Sequence, residues 1–279
     1  MTDGHRAWTW LFSPATEPRR CLKALDSGAD RVIWDWEDGV PSRDKDRARG
    51  EVVQLLDGPL SRQPWIRVNS AQTPDFTRDL QALKPVFHRV MGLVVPKWES
   101  ESIRRLTSLG FPGQWLLLIE TARGLDQLLL ASNPWPLKSA RLGLGAIDYR
   151  NDIGAFGDEA EQDLILARSI LVMKSRVWGW SAPIDAVTPY YAEPKPVEQS
   201  ASLGRSMGMG GKMIIHPAQI APVHRAYHPS GDEIRWARAI VDAQGDSQSV
   251  AVDGAMADKP VFERARQILA DAARGLAEH

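Results

Sequence analysis
The chain has a single cysteine, Cys21, among 279 residues. No internal disulfide can form, which suits a reducing cytosol, so a cytoplasmic location is expected. Cys21 falls in a helical stretch and reads as a packing residue rather than a thiol nucleophile. No cluster of His and Cys is present, so a zinc site is not indicated. No stretch approaches the roughly 20 apolar residues of a membrane helix. The short apolar run after His5 and Arg6 lacks the form of a signal peptide. Neither charge sign is in excess: 34 basic side chains stand against 35 acidic ones, a net charge of −1. No whole-protein field therefore draws the chain to nucleic acid or to an anionic membrane. Low-complexity segments and short internal repeats are also missing.

What is present is an ordinary globular composition, 43% hydrophobic and 25% charged. A chain this long buries roughly 75% of its unfolded surface and needs no staple. Short apolar runs alternate with longer amphipathic stretches. The runs lie near residues 8–12, 32–36, 65–68, 92–95, 115–119, 141–144, 182–187 and 212–215. They are mostly apolar throughout, as expected of parallel strands buried on both faces. Eight strand–helix units in series predict a (β/α)8 TIM barrel over residues 1–228. A C-terminal helical extension follows over 229–279, with helices near 230–243 and 260–273 and a loop over 245–257.

Barrels carry their functional groups at the C-terminal ends of the strands. Polar residues gather where the apolar runs stop: the second ends in Asp35, Glu37 and Asp38, the third in Arg67 and Asn69, and the fourth in Pro96 and Lys97. Glu120 follows the fifth, Asp148 the sixth and His216 the eighth, while Asp185 sits on the seventh. Two carboxylates converging at a barrel mouth repel unless a cation lies between them. Glu120 and Asp148 are the chosen pair, and hard oxygen donors favour Mg²⁺ or Mn²⁺. The competing reading has Glu120 pairing with Arg123 or capping the helix near Gly124. Arg67 could grip a substrate carboxylate or an enolate, or pair with the acids of the second strand. One of those acids is expected to orient Arg67 or a metal-bound water. His216, before Pro217, reads as a capping residue, and Lys97 makes a poor Schiff base beside Glu99 and Glu101. The glycines of 208–211 are a weak phosphate signal. Trp36 and Trp98 are expected as pocket walls.

Taken in order, several blocks resemble one family. They are Leu11-Phe12-Ser13-Pro14, Gly28-Ala29-Asp30, Asp35-Trp36-Glu37-Asp38-Gly39-Val40, Arg67-Val68-Asn69, Pro96-Lys97-Trp98-Glu99, Glu120-Thr121-Ala122 and Gly145-Ala146-Ile147-Asp148. Gly211–Pro217, His228-Pro229-Ser230 and Asp253–Pro260 complete the set. The chain resembles the citrate lyase β-subunit-like family, within the malyl-CoA lyase and HpcH/HpaI aldolase superfamily. The resemblance implies a Mg²⁺-dependent carbon–carbon lyase. It would cleave or form a 3-hydroxyacyl-CoA, such as citryl-CoA or malyl-CoA, giving a 2-oxo acid and acetyl-CoA. It implies Glu120 and Asp148 as metal ligands, Arg67 as the substrate arginine, Glu37 and Asp38 as catalytic acids, and Arg19 and Lys23 as coenzyme A contacts. It further implies that Asp258 serves a neighbouring subunit as a proton acceptor, within a homotrimer or a hexamer. An acyl-carrier protein is a candidate partner. The pattern departs from the family at Thr9-Trp10, Ala15, Trp36, Trp98 and Tyr149, which are expected to alter the coenzyme A contacts and the acyl pocket. Two alternatives are an aldolase acting on free 2-oxo acids and a non-catalytic subunit that binds acyl-CoA.

Overall fold
A computed structural model describes residues 7–137, 139–157, 160–244, 250–252 and 255–275. Eight strands close a parallel barrel in sequence order. They are β1 (Thr9–Pro14), β2 (Arg31–Asp35), β3 (Trp65–Arg67), β4 (Gly92–Val95), β5 (Gln114–Ile119), β6 (Ala140–Leu144), β7 (Ile184–Asp185) and β8 (Gly211–Ile214). β1 pairs with both β2 and β8, which closes the ring. The helices between them are α1 (Pro18–Leu25), α2 (Lys45–Asp57), α3 (Pro74–Leu83), α4 (Ser102–Thr107), α5 (Ala122–Leu130), α6 (Ala146–Ile153), α7 (Ile165–Val177), α8 (Pro194–Met207) and α9 (Ile220–Tyr227). Proline opens α1, α3 and α8, where its missing N–H costs nothing.

Side chains alternate between the interior and the helix layer along each strand. The interior holds Trp10, Ile33, Trp65, Val94, Leu116, Leu118, Ile184 and Met213, all buried. Each large apolar side chain buried this way contributes about 1.5–3 kcal/mol. Trp65 fills the middle of the barrel against Trp10, ring centroids 4.8 Å apart. A Cβ at Gly92 would lie 2.3 Å from the Trp65 ring, so the neighbouring strand must carry glycine there. The interior is thus packed, and a cavity opens at its C-terminal end.

The chain forms two compact units that divide after residue 224. The second unit, 225–279, is a helical pair with a hairpin. α10 (Gly231–Gln244) and α11 (Lys259–Gly275) pack around Ala237, Ile240, Phe262, Ala265 and Ile268. Two short strands, β9 (Val250–Val252) and β10 (Ala255–Ala257), pair antiparallel where a loop is expected from the glycine and serine content. Asp253 and Gly254 lie outside the described residues. Among the described residues no helix is long and apolar enough to cross a membrane.

Candidate metal centre
Strand parity and register assemble the site. Ile33 and Trp65 point inward, so Asp35 and Arg67, two residues on, also face the interior at its open end. Asp35 and Arg67 are register partners on adjacent strands. The Arg67 Nε and Nη2 donate to the two Asp35 carboxylate oxygens, both at 2.7 Å. Asp35 also accepts from the backbone N–H of Glu37 and of Gly39, each at 2.9 Å. The turn after β2 therefore wraps around this carboxylate and aims the next two acids. Arg67 Nη1 lies 2.9 Å from Glu37 Oε2 and 3.5 Å from Asp38 Oδ2. Burial works against the guanidinium charge, but Asp35, Glu37 and Glu120 more than offset it and keep Arg67 a fixed cation. The guanidinium also lies 4.8 Å from the centre of the Phe12 ring.

Glu120 follows Leu116 and Leu118 on the same inward face of β5. Its carboxylate is 2% exposed and accepts from the Lys97 backbone N–H at 3.2 Å. Burial raises its pKa well above the ordinary carboxylate value. Glu37 and Asp148 push it the same way, against Arg67 and Lys97. Just past the neighbouring strand β6 stands Gly145, where a Cβ would lie 2.3 Å from Glu120 Cγ. Asp148 does not end β6, as expected from the sequence. It stands in the first turn of α6, a helix absent from the sequence reading, whose N-terminal dipole favours an acid there. The competing roles for Glu120 are filled by others. Arg123 lies 3.3 Å from Glu99 and 2.6 Å from Glu101, and Thr121 caps α5 by accepting from Gly124 N at 2.9 Å.

Lys97 bridges the two groups of acids. Its ammonium is 2.8 Å from Glu37 Oε1 and 3.3 Å from Asp148 Oδ2. Burial lowers its basicity, but the bond to Glu37 and the charges of Glu37, Glu120 and Asp38 raise the pKa overall. A Schiff-base lysine needs the opposite. Behind this layer, Lys45 on α2 donates to the carbonyls of Trp36 and Glu37, at 2.9 and 3.0 Å, and to Asn69 Oδ1. Asn69 donates to Asp79 Oδ2 through its backbone N–H and its amide, at 2.7 and 2.8 Å. Asp79 Oδ1 in turn accepts from Arg49 Nε at 2.6 Å. This buried chain holds the backbone of the β2–α2 turn. Asn69 stands out in the sequence at a strand end, but Lys45, Asp79 and Arg49 do not, because their partners in this chain of bonds lie 8 to 30 residues away.

Other expected residues fall elsewhere. Trp36 and Trp98 are 1% and 0% exposed, and neither lines the cavity at the mouth. Trp36 follows the inward Asp35, so parity turns it outward, and the Trp98 ring lies 3.6 Å from that of Trp135. Asp185 is fully buried and faces Arg168 of α7, which donates at 2.9 and 3.0 Å. It belongs to a structural network, not the rim. His216 caps the turn over Pro217–Gln219, accepting from Ala218 N at 3.1 Å, and stacks on Tyr191. Thr9 and Trp10 begin β1, where the Thr9 hydroxyl donates to Asp30 at 2.9 Å, and neither lines the cavity. Tyr149 is buried outside the cavity lining. Cys21 is buried and its thiol pushed up to about 12, chiefly by burial, which makes it inert. Arg19 and Lys23, one turn apart on α1, are exposed and line no part of the cavity. Asp258 is exposed at the start of α11, its carbonyl accepting from Phe262 N at 3.0 Å.

The cavity at the barrel mouth measures about 420 Å³. Its lining combines the charged Asp35, Asp38, Arg67, Glu120 and Asp148 with the apolar Leu118, Leu144, Val187 and Met213. Five carboxylates, counting Glu37, meet two cations, Arg67 and Lys97, leaving three formal negative charges. No third His, Cys, Asp or Glu joins Glu120 and Asp148 as a metal cluster among the described residues. One or two carboxylates, with water and substrate oxygens completing the shell, is the donor set Mg²⁺ prefers. The residues fit such an ion. The HpcH/HpaI aldolase/citrate lyase family model matches residues 9–109. A citrate lyase subunit beta-like protein of Mycobacterium tuberculosis is 32% identical over 278 residues, covering 96% of this chain and 97% of that protein. This chain belongs to the HpcH/HpaI aldolase/citrate lyase family. Human mitochondrial citramalyl-CoA lyase, 28% identical, covers 92% of this chain and 82% of its own. Among solved structures of the family, CitE from Mycobacterium tuberculosis in complex with magnesium, acetoacetate and coenzyme A superposes with a TM-score of 0.82. It is 30% identical and covers 96% of this chain and all of its own.

Proposed function
We propose that this chain is a Mg²⁺-dependent carbon–carbon lyase acting on a coenzyme A thioester of a 3-hydroxy acid. The observation that carries this is the buried, under-neutralised Glu120 carboxylate beside Asp148 at the mouth of a packed barrel. The kinship with citrate lyase β-like proteins and citramalyl-CoA lyase, and the magnesium and coenzyme A held by CitE, support the choice of ion and substrate. Glu120 and Asp148 would hold the ion. When bound, Mg²⁺ would polarise the substrate oxygen and supply several kcal/mol of charge stabilisation. Removal of the hydroxyl proton breaks the C–C bond, leaving a 2-oxo acid and the enolate of acetyl-CoA, which then takes a proton.

Arg67 is built for that enolate. Asp35 holds the guanidinium edge-on, so its orientation is set before substrate arrives. Glu37 and Asp38 complete the acidic wall. The proton acceptor is assigned to Asp258 of a neighbouring copy in a homotrimer or hexamer, a role supported by its exposure and by the resemblance. Arg19 and Lys23, exposed on α1, are assigned to the coenzyme A phosphates. The apolar part of the lining, Leu118, Leu144, Val187 and Met213, suits the acyl chain.

Calorimetric titration tests this reading. Metal-stripped protein is titrated with Mg²⁺ and with oxaloacetate, pyruvate or glyoxylate, with and without acetyl-CoA, beside a Glu120→Ala control. Binding that needs both metal and acetyl-CoA and is lost in the control is the expected result, and the best-bound acid names the substrate. Binding indifferent to acetyl-CoA would make the protein an aldolase of free 2-oxo acids. No metal binding at all would remove the assignment of Glu120 and Asp148.

A further inference from the structure
One residue touches both proposed ligands. Lys97 reaches Glu120 Oε2 through its backbone N–H, at 3.2 Å, and Asp148 Oδ2 through its ammonium, at 3.3 Å. The backbone that permits this is unusual. Lys97 has φ of 45°, the left-handed region that side-chain-bearing residues enter only at a cost. Such a conformation persists where its surroundings enforce it, and here it turns the N–H toward one carboxylate and the side chain toward the other. The ammonium has a second anchor in Glu37 Oε1, at 2.8 Å. The Glu37 side chain is 8% exposed, whereas those of Lys97 and Asp148 are 31% and 34% exposed. Glu37 is therefore the fixed end of the arrangement, and the Lys97–Asp148 contact is the end free to open.

An ammonium and a divalent ion cannot share Asp148 without strong repulsion at this distance. We propose that Lys97 is a resident competitor for the metal. Its ammonium neutralises Asp148 while the site holds no ion and withdraws onto Glu37 when Mg²⁺ binds. This proposal rests on the assignment of Glu120 and Asp148 as the metal pair. Its consequence is that Lys97 weakens divalent affinity while sparing the metal-free protein an unbalanced cluster of acids. The arrangement separates two tasks within one residue: the main chain positions Glu120, and the side chain sets how tightly Asp148 competes for the ion.

The test is a calorimetric Mg²⁺ titration of metal-free, full-length wild type, Lys97→Gly and Lys97→Met, run at alkaline pH with the carboxyls ionised. Lys97→Gly keeps the N–H to Glu120 and accepts the positive φ without strain, so it removes the side chain with its ammonium and leaves the main chain in place. Lys97→Met keeps the length of the side chain without its charge, and Lys97→Arg keeps the charge. The first two variants are expected to bind Mg²⁺ at least tenfold more tightly than wild type, and Lys97→Arg to stay near wild type. Thermal melting of each metal-free protein confirms folding, and Lys97→Gly decides the matter if Lys97→Met is poorly folded. Wild type that binds Mg²⁺ with the uncharged variants no tighter would overturn the competition and leave the metal pair intact. Absence of binding in wild type and in both uncharged variants would overturn the metal pair as well.

Discussion
Replacing Gly145 by alanine should damage the centre through one methyl group. The backbone itself accepts the change, since φ at Gly145 is −96°. The new Cβ would lie 2.3 Å from Glu120 Cγ and 2.6 Å from its Cδ and Oε1. Non-bonded carbons rest about 3.5–4.0 Å apart, so the Glu120 side chain must retreat by more than ~1 Å. The space beside it is the cavity it lines, and a shift that way strains its bond to the Lys97 N–H. Overpacking of this kind costs about 1–3 kcal/mol. For a chain of this size that corresponds to a fall in Tm of roughly 2–10 °C. The effect on metal binding should be larger in proportion, because Mg²⁺ demands oxygen ligands at about 2.0–2.1 Å in near-octahedral geometry. Scanning calorimetry of the metal-free protein measures the first effect. Isothermal titration with Mg²⁺ measures the second, with at least a tenfold loss of affinity expected. A Gly145→Ala protein that melts and binds Mg²⁺ like wild type would refute the reasoning, since the carboxylate would then move aside at no cost to its bonds or to the metal.

Three other outcomes follow from the same geometry. Lys45→Met strands the carbonyls of Trp36 and Glu37 and the Asn69 amide oxygen. It should cost about 1–3 kcal/mol and speed amide exchange in residues 36–40, and unchanged exchange would show that the clamp is idle. Glu120 holds its proton above its ordinary value near 4.5, chiefly through burial. Its contribution to metal-free stability is therefore greatest below that value and is lost as pH rises through the folded pKa. The Tm difference between wild type and Glu120→Gln should shift steadily toward the variant as pH rises and shrink when Mg²⁺ is added; a pH-independent difference would contradict the burial argument. Arg168→Met leaves Asp185 buried with its two strongest bonds gone, and Glu161 without its partner at 2.5 Å. Chemical denaturation should show a loss of about 3–5 kcal/mol, and a loss below 1 kcal/mol would mean that the network carries no weight.

The barrel is written locally, and so it is readable. Eight apolar runs mark the eight strands because parallel strands covered on both faces need apolar side chains in either phase. The same strands explain why Asp35, Arg67 and Glu120 stand out, each being the polar residue that ends a run. Phase also accounts for the misplacements. Trp36 adjoins the inward Asp35 and so faces the helix layer, while Asp185 turns toward Arg168 on the outside of its strand. Asp148 was found by its position after an apolar run, yet its support is the first turn of α6, which the short segment 146–153 does not announce by periodicity. The hairpin over 250–257 reads as a loop because each of its strands has only three residues.

By itself, then, the sequence determined the eight-stranded barrel and the acids and arginine at the strand ends, since these follow from eight apolar runs in series and the polar residues where they stop. Only the tertiary structure decided which charges meet. The register places Asp35 against Arg67, and Gly145 beside Glu120. The left-handed turn at Lys97 carries one ammonium to Glu37 and Asp148, 60 and 51 residues distant in sequence. Contacts across such spans leave no trace in local pattern, because an ion pair is set by where folded backbones bring two side chains and not by what adjoins either of them.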